Sequence, residues 1–95
     1  MNNQKNVHIL VEGRVQGVGF RYFVKNIADQ TGITGWVRNL SDDRVEIFAQ
    51  GDAQKLDGFI AVVRAGHTAA MVTNMSIDWH EPDLNFTKFS IAPTV

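Results

Sequence analysis

The chain has 95 residues, a formal net charge of −1, 44% hydrophobic residues, 20% charged residues and no cysteine. Its length predicts a single domain over residues 1–95, large enough to bury roughly 60–65% of its unfolded surface in one core. The composition excludes a disulfide scaffold, a zinc ribbon, a thiol nucleophile and any broad basic field for polyanions, so affinity for phosphate would need a local site.

"MNNQKNV" lacks the apolar centre of a signal peptide, and no apolar run approaches the ~18 residues of a membrane span. A cytoplasmic protein with no membrane association is expected. Val7, Ile9 and Val11 alternate with His8, Leu10 and Glu12, the period of a half-buried strand. A glycine-rich loop follows. Phe20, Phe23, Val24, Ile27 and Ala28 then recur at helical spacing, with Gly32 placed for a left-handed C-terminal cap. "GWVRNL" (35–40) and "RVEIFAQ" (44–50) read as two strands joined by a hairpin turn. Asp52 suits the N-cap of a second helix, whose Leu56, Phe59, Ile60 and Val63 form a stripe ended by Gly66. Val72, Met75, Ile77 and Trp79 suggest a fourth strand with an irregularity near Asn74, stopped by Pro82. Phe86, Phe89 and Ile91 mark a short final strand.

This β-α-β-β-α-β order with a last β is the α+β, ferredoxin-like split βαβ arrangement. Each crossover makes its flanking strands parallel, and the short connection makes strands two and three antiparallel. The two apolar stripes place both helices on one face of a mostly antiparallel sheet. That fold alone carries no function.

The loop "EGRVQGVGFRYF" (12–23) is where chemistry is expected. Gly17 and Gly19 adopt positive φ without steric cost, so successive backbone N–H groups can point into one concavity. The helix beginning near Phe20 adds unpaired N–H groups and a partial positive charge. Arg21 lies in its first turn, on the border of the apolar stripe, within reach of the loop mouth for two-pronged phosphate binding. A second reading stays open on spacing alone: a turn that needs glycines, beside an exposed arginine. Asn39 ends the second strand on the same sheet edge, about two strand spacings (~10 Å) away if one strand intervenes. Its amide suits holding a water, and equally suits ending a strand before a turn. Neither G-x-G-x-x-G, nor the Walker pattern, nor G-x-S-x-G is present.

"GRVQGVGFR" (13–21), followed by "GWVRN" (35–39), "VEIFAQG" (45–51) and "FTKFSI" (86–91), resembles the acylphosphatase family over roughly residues 5–92. The resemblance implies metal- and cofactor-free hydrolysis of the carboxyl–phosphate bond of acylphosphates. It implies phosphate binding by Arg21 and the backbone of Gln16, Gly17, Val18, Gly19, Phe20 and Arg21, with Asn39 positioning the attacking water. The partners implied are an acylphosphate substrate and inorganic phosphate product, for a monomer without nucleic acid. Asp43 stands where the family usually has glycine, four residues after the asparagine, at an expected cost of ~1 kcal/mol or less. His67 replaces a frequent proline.

The remaining candidates read as structure. His8, His67 and His80 lack zinc-ligand spacing; Asp42–Asp43 and the group Asp78, Glu81 and Asp83 read as solvated carboxylates. Ser41, Ser76 and Ser90 have no activating partner in sequence. Arg14 has two readings, reinforcing the phosphate field or pairing with a structural carboxylate, of which the second is expected, and Trp36, Trp79 and the phenylalanines are expected to fill core or sheet face. The alternative is a non-catalytic phosphate-binding module or an RNA-binding module of this fold. RNA-recognition motifs place their aromatics on a central strand, whereas Phe20 and Phe23 sit at helical spacing here.

Overall fold

The computed structural model describes residues 3–82 and 86–95. The strands are β1 (Gln4–Arg14), β2 (Thr34–Asn39), β3 (Val45–Asp52), β4 (Met71–His80) and β5 (Phe89–Ile91), and the helices are α1 (Phe20–Thr31) and α2 (Ala53–Ala65). One five-stranded sheet runs β4-β1-β3-β2-β5. All pairings are antiparallel except β2 with β5. The β1-α1-β2 crossover therefore passes over β3, and β3-α2-β4 passes over β1. The ferredoxin-like arrangement and the mostly antiparallel sheet are as read from the sequence.

Period and cap chemistry explain the elements. Val7, Ile9 and Val11 of β1 join Val37, Val45, Ile47 and Ala49 in a core completed by Phe20, Val24 and Ala28 of α1 and Leu56, Phe59, Ile60 and Val63 of α2. α1 packs over β2 and β5, and α2 over β3, β4 and β1. Asp52 caps α2 by accepting from the Gln54 amide at 3.0 Å. Gly32 closes α1, its amide donating to Ala28. The irregularity in β4 lies where Glu12 pairs with Asn74 but Gly13 pairs with Val72, so Thr73 is the extra residue of a bulge.

Two aromatic placements differ from expectation. Trp79 faces the helix side, paired with Val7, yet is 46% exposed. It stands near the end of an edge strand and lines a cleft with Ala53 and Asp57, beside the first turn of α2. Phe86 lies outside β5 and packs on Phe48 instead, with ring centroids 6.4 Å apart. Asp83 falls outside the described residues.

The helix-free face of the sheet carries its own cluster. His8 and Trp36 flank the Phe48 ring at 4.9 and 5.4 Å. The Arg38 guanidinium lies 4.6 Å over Trp36. Glu46 accepts from His8 Nε2 and Arg38 Nε, both at 2.7 Å. Burial pulls the Glu46 carboxyl upward, but these two hydrogen bonds outweigh it and hold the group below its ordinary value.

Candidate active site

The topology delivers β1 and β2 to the same end of the sheet. Both are antiparallel to the intervening β3, so their C-terminal ends are neighbours across one strand. The loop Val15–Gly19 leaves β1 there, and Asn39 ends β2 there.

Gly17 and Gly19 have φ of 73° and 77°. A Cβ built on either meets no atom within 4 Å, so it is the left-handed backbone, not crowding, that calls for glycine. Gly35 makes the contrast: a Cβ there would lie 1.9 Å from the Phe48 carbonyl oxygen. Gly19 is also the N-cap of α1 and supplies no side-chain cap. Its carbonyl accepts from the Phe23 amide at 3.1 Å, but among the described residues no backbone N–H from Gln16 to Tyr22 donates to a protein acceptor. A run of unpaired donors at a helix N-terminus is a polar surface built for an anion or for water.

Side chains sort around this run. Phe20 is buried, stacked on His67 at 6.3 Å and tilted against Phe23 at 5.8 Å, which anchors the first turn of α1. Val18 is half-buried against the core. Arg21 is half-buried and, among the described residues, has neither ion pair nor hydrogen bond. By contrast Arg38 pairs with Glu46, Arg44 with Asp42 at 2.7 Å, and Lys25 with Asp29 at 2.6 Å. The side-chain hydrogen bond from Arg44 holds the Asp42 carboxyl below its ordinary value. Arg14, expected to pair with a carboxylate, is exposed and has no ion pair among the described residues. It follows the bulge opposite Met71, and its neighbour Glu12 accepts instead from Asn74 at 2.8 Å.

Asn39 is held by its backbone from both sides. It is in register with Val45 of β3, and its carbonyl accepts from the Val95 amide at 3.2 Å. Its Oδ1 is buried and accepts no hydrogen bond. The turn beyond it is a three-residue hairpin loop: Asp43 N–H donates to Leu40 at 3.2 Å and Leu40 N–H to Arg44 at 2.8 Å. Asp43 occupies the left-handed position of that loop, with φ 76°, the conformation that makes glycine usual there.

The side chain of Gln16 makes a contact that motif reading missed. Its Nε2 donates to the carbonyls of Leu40 and Arg44, both at 2.8 Å, tying the loop to the hairpin. No sequence signal marks such a bond, since its acceptors are main-chain atoms remote in the chain.

A cleft of about 400 Å³, lined by Asn3, Lys5, Ala53, Asp57, Trp79, His80 and Glu81, lies at the other end of the sheet. Lys5 and Glu81 pair across it at 3.4 Å. Its polar lining includes this ion pair, whereas the loop presents a run of unpaired amides. Among the described residues no group of three or more His, Asp or Glu is placed to hold a metal ion, and no helix is long and apolar enough to cross a membrane.

A ferredoxin-like sheet with unpaired amides and an unpartnered arginine at a β-to-α turn defines the class as a small α+β protein with a polar surface suited to an anion or to water. Comparison with known proteins gives the family. The acylphosphatase family profile matches residues 7–91. Acylphosphatase from Methylococcus capsulatus is 45% identical over 87 residues, 92% of this chain and 95% of that one. The crystal structure of acylphosphatase from Bacillus subtilis superposes with a TM-score of 0.89 at 42% identity, covering 93% of this chain and 98% of that one. The fold also matches 12% of a structure of full-length HypF in its phosphate- and nucleotide-bound form, with a TM-score of 0.89, 26% identity and 99% of this chain covered. The chain belongs to the acylphosphatase family, and it is an enzyme that hydrolyses acylphosphates.

Proposed function

We propose that the amides of Gln16–Arg21 and the Arg21 guanidinium bind the phosphoryl group of the acylphosphate, and that Asn39 positions the attacking water. The observation that carries this reading is the unpaired state of those amides beside Arg21, which is half-buried and unpaired where Arg14 and Arg64, also unpaired among the described residues, are exposed.

The chemistry asks for little more. An acylphosphate is a mixed anhydride whose leaving group is a carboxylate. Carboxylic acids titrate near ~4, so the group departs as an anion at neutral pH without a strong general acid. What remains is to hold the phosphoryl group, match the charge on its equatorial oxygens and align water opposite the departing oxygen. Fixed N–H groups and a guanidinium do the first two by preorganised electrostatics. The Asn39 amide N–H donates to one lone pair of the water and leaves the other for phosphorus. No proton need be removed early, because the transition state is loose.

The enzyme works without metal or cofactor, as a cytoplasmic monomer that binds neither nucleic acid nor membrane. The test is hydrolysis of an aryl acylphosphate with and without a chelator. Chelator-insensitive turnover, inhibited by inorganic phosphate, is expected; turnover abolished by the chelator and restored by a divalent cation would overturn the metal-free reading.

The aromatic cluster on the open sheet face supports a second reading, binding of single-stranded RNA, since base stacking in this topology uses that face. Against it, the rings of Phe48, His8 and Trp36 pack on one another, and Glu46 sits among them. Salt-dependent oligonucleotide binding without acylphosphate hydrolysis would favour RNA.

A further inference from the structure

We infer that the side chain of Gln16 is a positioning residue, a clamp that sets the distance between the phosphate-binding loop and Asn39. This rests on the roles proposed above for the loop and for Asn39.

The two halves of the site lie at the two ends of one crossover, after β1 and at the end of β2, with β3 between the strands that carry them. Among the described residues, the hydrogen bonds joining the loop Val15–Tyr22 to the segment Thr34–Arg44 are the two made by Gln16 Nε2. One acceptor is the carbonyl of Leu40, the residue after Asn39, and the other closes the hairpin at Arg44. Both Nε2 hydrogens are used, so the bonds fix a direction as well as a distance.

The acceptors show that the clamp is not needed to build the hairpin. The Leu40 carbonyl already accepts from the Asp43 amide at 3.2 Å, and the Arg44 carbonyl from the Leu40 amide at 2.8 Å. Gln16 uses their second lone pairs, so removing it orphans neither. The backbone amide of Gln16, part of the phosphate cradle, is unchanged by any side-chain substitution. What such a substitution loosens is the alignment of water against phosphorus, where a displacement on the order of 1 Å costs about 100-fold in rate.

Gln16→Met keeps the length and stem of the side chain and removes both donors. The clamp predicts a thermal midpoint near that of the unmodified protein, inorganic-phosphate inhibition changed by less than about threefold, and kcat reduced about 10- to 100-fold. In an Asn39→Ala background the same substitution should lower kcat by less than about twofold, because the alignment it protects is already gone. If Gln16→Met alone leaves kcat intact while Asn39→Ala lowers it, the clamp is overturned and the water-positioning reading stands. Equal, multiplicative losses in both backgrounds, with phosphate affinity falling alongside, would also overturn it by assigning Gln16 to the cradle or the fold. Should Asn39→Ala itself leave kcat unchanged, the role of Asn39 fails and the clamp fails with it.

Discussion

Asn39→Ala separates a functional asparagine from one that merely ends a strand. Its Oδ1 is buried with no donor, a state that costs about 1–3 kcal/mol for a neutral polar group. Alanine removes that acceptor. The backbone bonds at the position survive, since the Val95 amide donates to the main-chain carbonyl and the Val45 register is set by the strand. Strand propensity offers little to lose, as the whole scale spans ~1 kcal/mol and both residues are poor strand formers. The net change in stability should therefore lie between zero and a gain of about 2 kcal/mol, with each 1 kcal/mol worth about 4–8 °C in Tm for a domain this size. The same substitution should lower kcat about 100-fold by releasing the water, while inhibition by inorganic phosphate stays within about twofold. Thermal denaturation, steady-state hydrolysis of an aryl acylphosphate and phosphate inhibition measure the three quantities. A destabilised variant with normal kcat would refute the reasoning, because it would make Asn39 a structural strand end.

Arg21→Ala should lower phosphate affinity roughly 100-fold, the worth of about 3 kcal/mol in charge-assisted hydrogen bonds, and change stability by no more than about 0.5 kcal/mol; calorimetric phosphate titration checks the first and denaturant unfolding the second. Asp43→Gly should gain up to about 1 kcal/mol by relieving the left-handed strain of the hairpin, seen as a Tm rise of about 4–8 °C. The Glu46 carboxyl is held below its ordinary value, so it contributes stability above the unfolded value of about 4.3 and loses it as pH falls through the folded value. Glu46→Gln should accordingly be less stable than the unmodified protein at neutral pH, with the gap shrinking in acid, as unfolding at about pH 7 and pH 3 would show. The proposed site holds no carboxylate, histidine, lysine or thiol to serve as general acid or base, so kcat should be flat between about pH 5 and 9; a bell-shaped profile would require a general acid or base absent from the proposed site.

The fold was legible because local chemistry and global pattern agree. Apolar spacing placed Val7, Ile9 and Val11 inward and drew both helix stripes, and Asp52 and Gly32 act as the caps their types suggest. Gly17, Gly19 and Asp43 were readable for the same reason: a left-handed backbone restricts residue choice, so the sequence carries its mark. What stayed hidden depends on partners that any residue type can supply. The acceptors of Gln16 are main-chain carbonyls 24 and 28 positions away. Arg14 illustrates the opposite failure, since an arginine near carboxylates in sequence suggests a pair that the bulge at Gly13 does not form. The open-face cluster of Trp36, Arg38, Glu46 and Phe48 follows from strand alternation, but its filling by His8 and Phe86 is tertiary.

The proposed site has no acid, base or nucleophile and so places its whole demand on geometry, which the fold meets in an economical way. The sheet fixes two strand ends one strand apart, the core holds Phe20 and so the start of α1, and the C-terminal segment and β3 grip the backbone of Asn39 from either side. Charge is distributed unevenly: Glu46 and Asp42 pair with Arg38 and Arg44, the arginines on either side of the hairpin, whereas among the described residues Arg14 and Arg21 have no ion pair. The same logic explains why the residues at stake are so few. A carboxylate leaves unaided, so the proposed chemistry asks only for a loop shape, one cation and one amide, each of which the surrounding structure leaves unpaired.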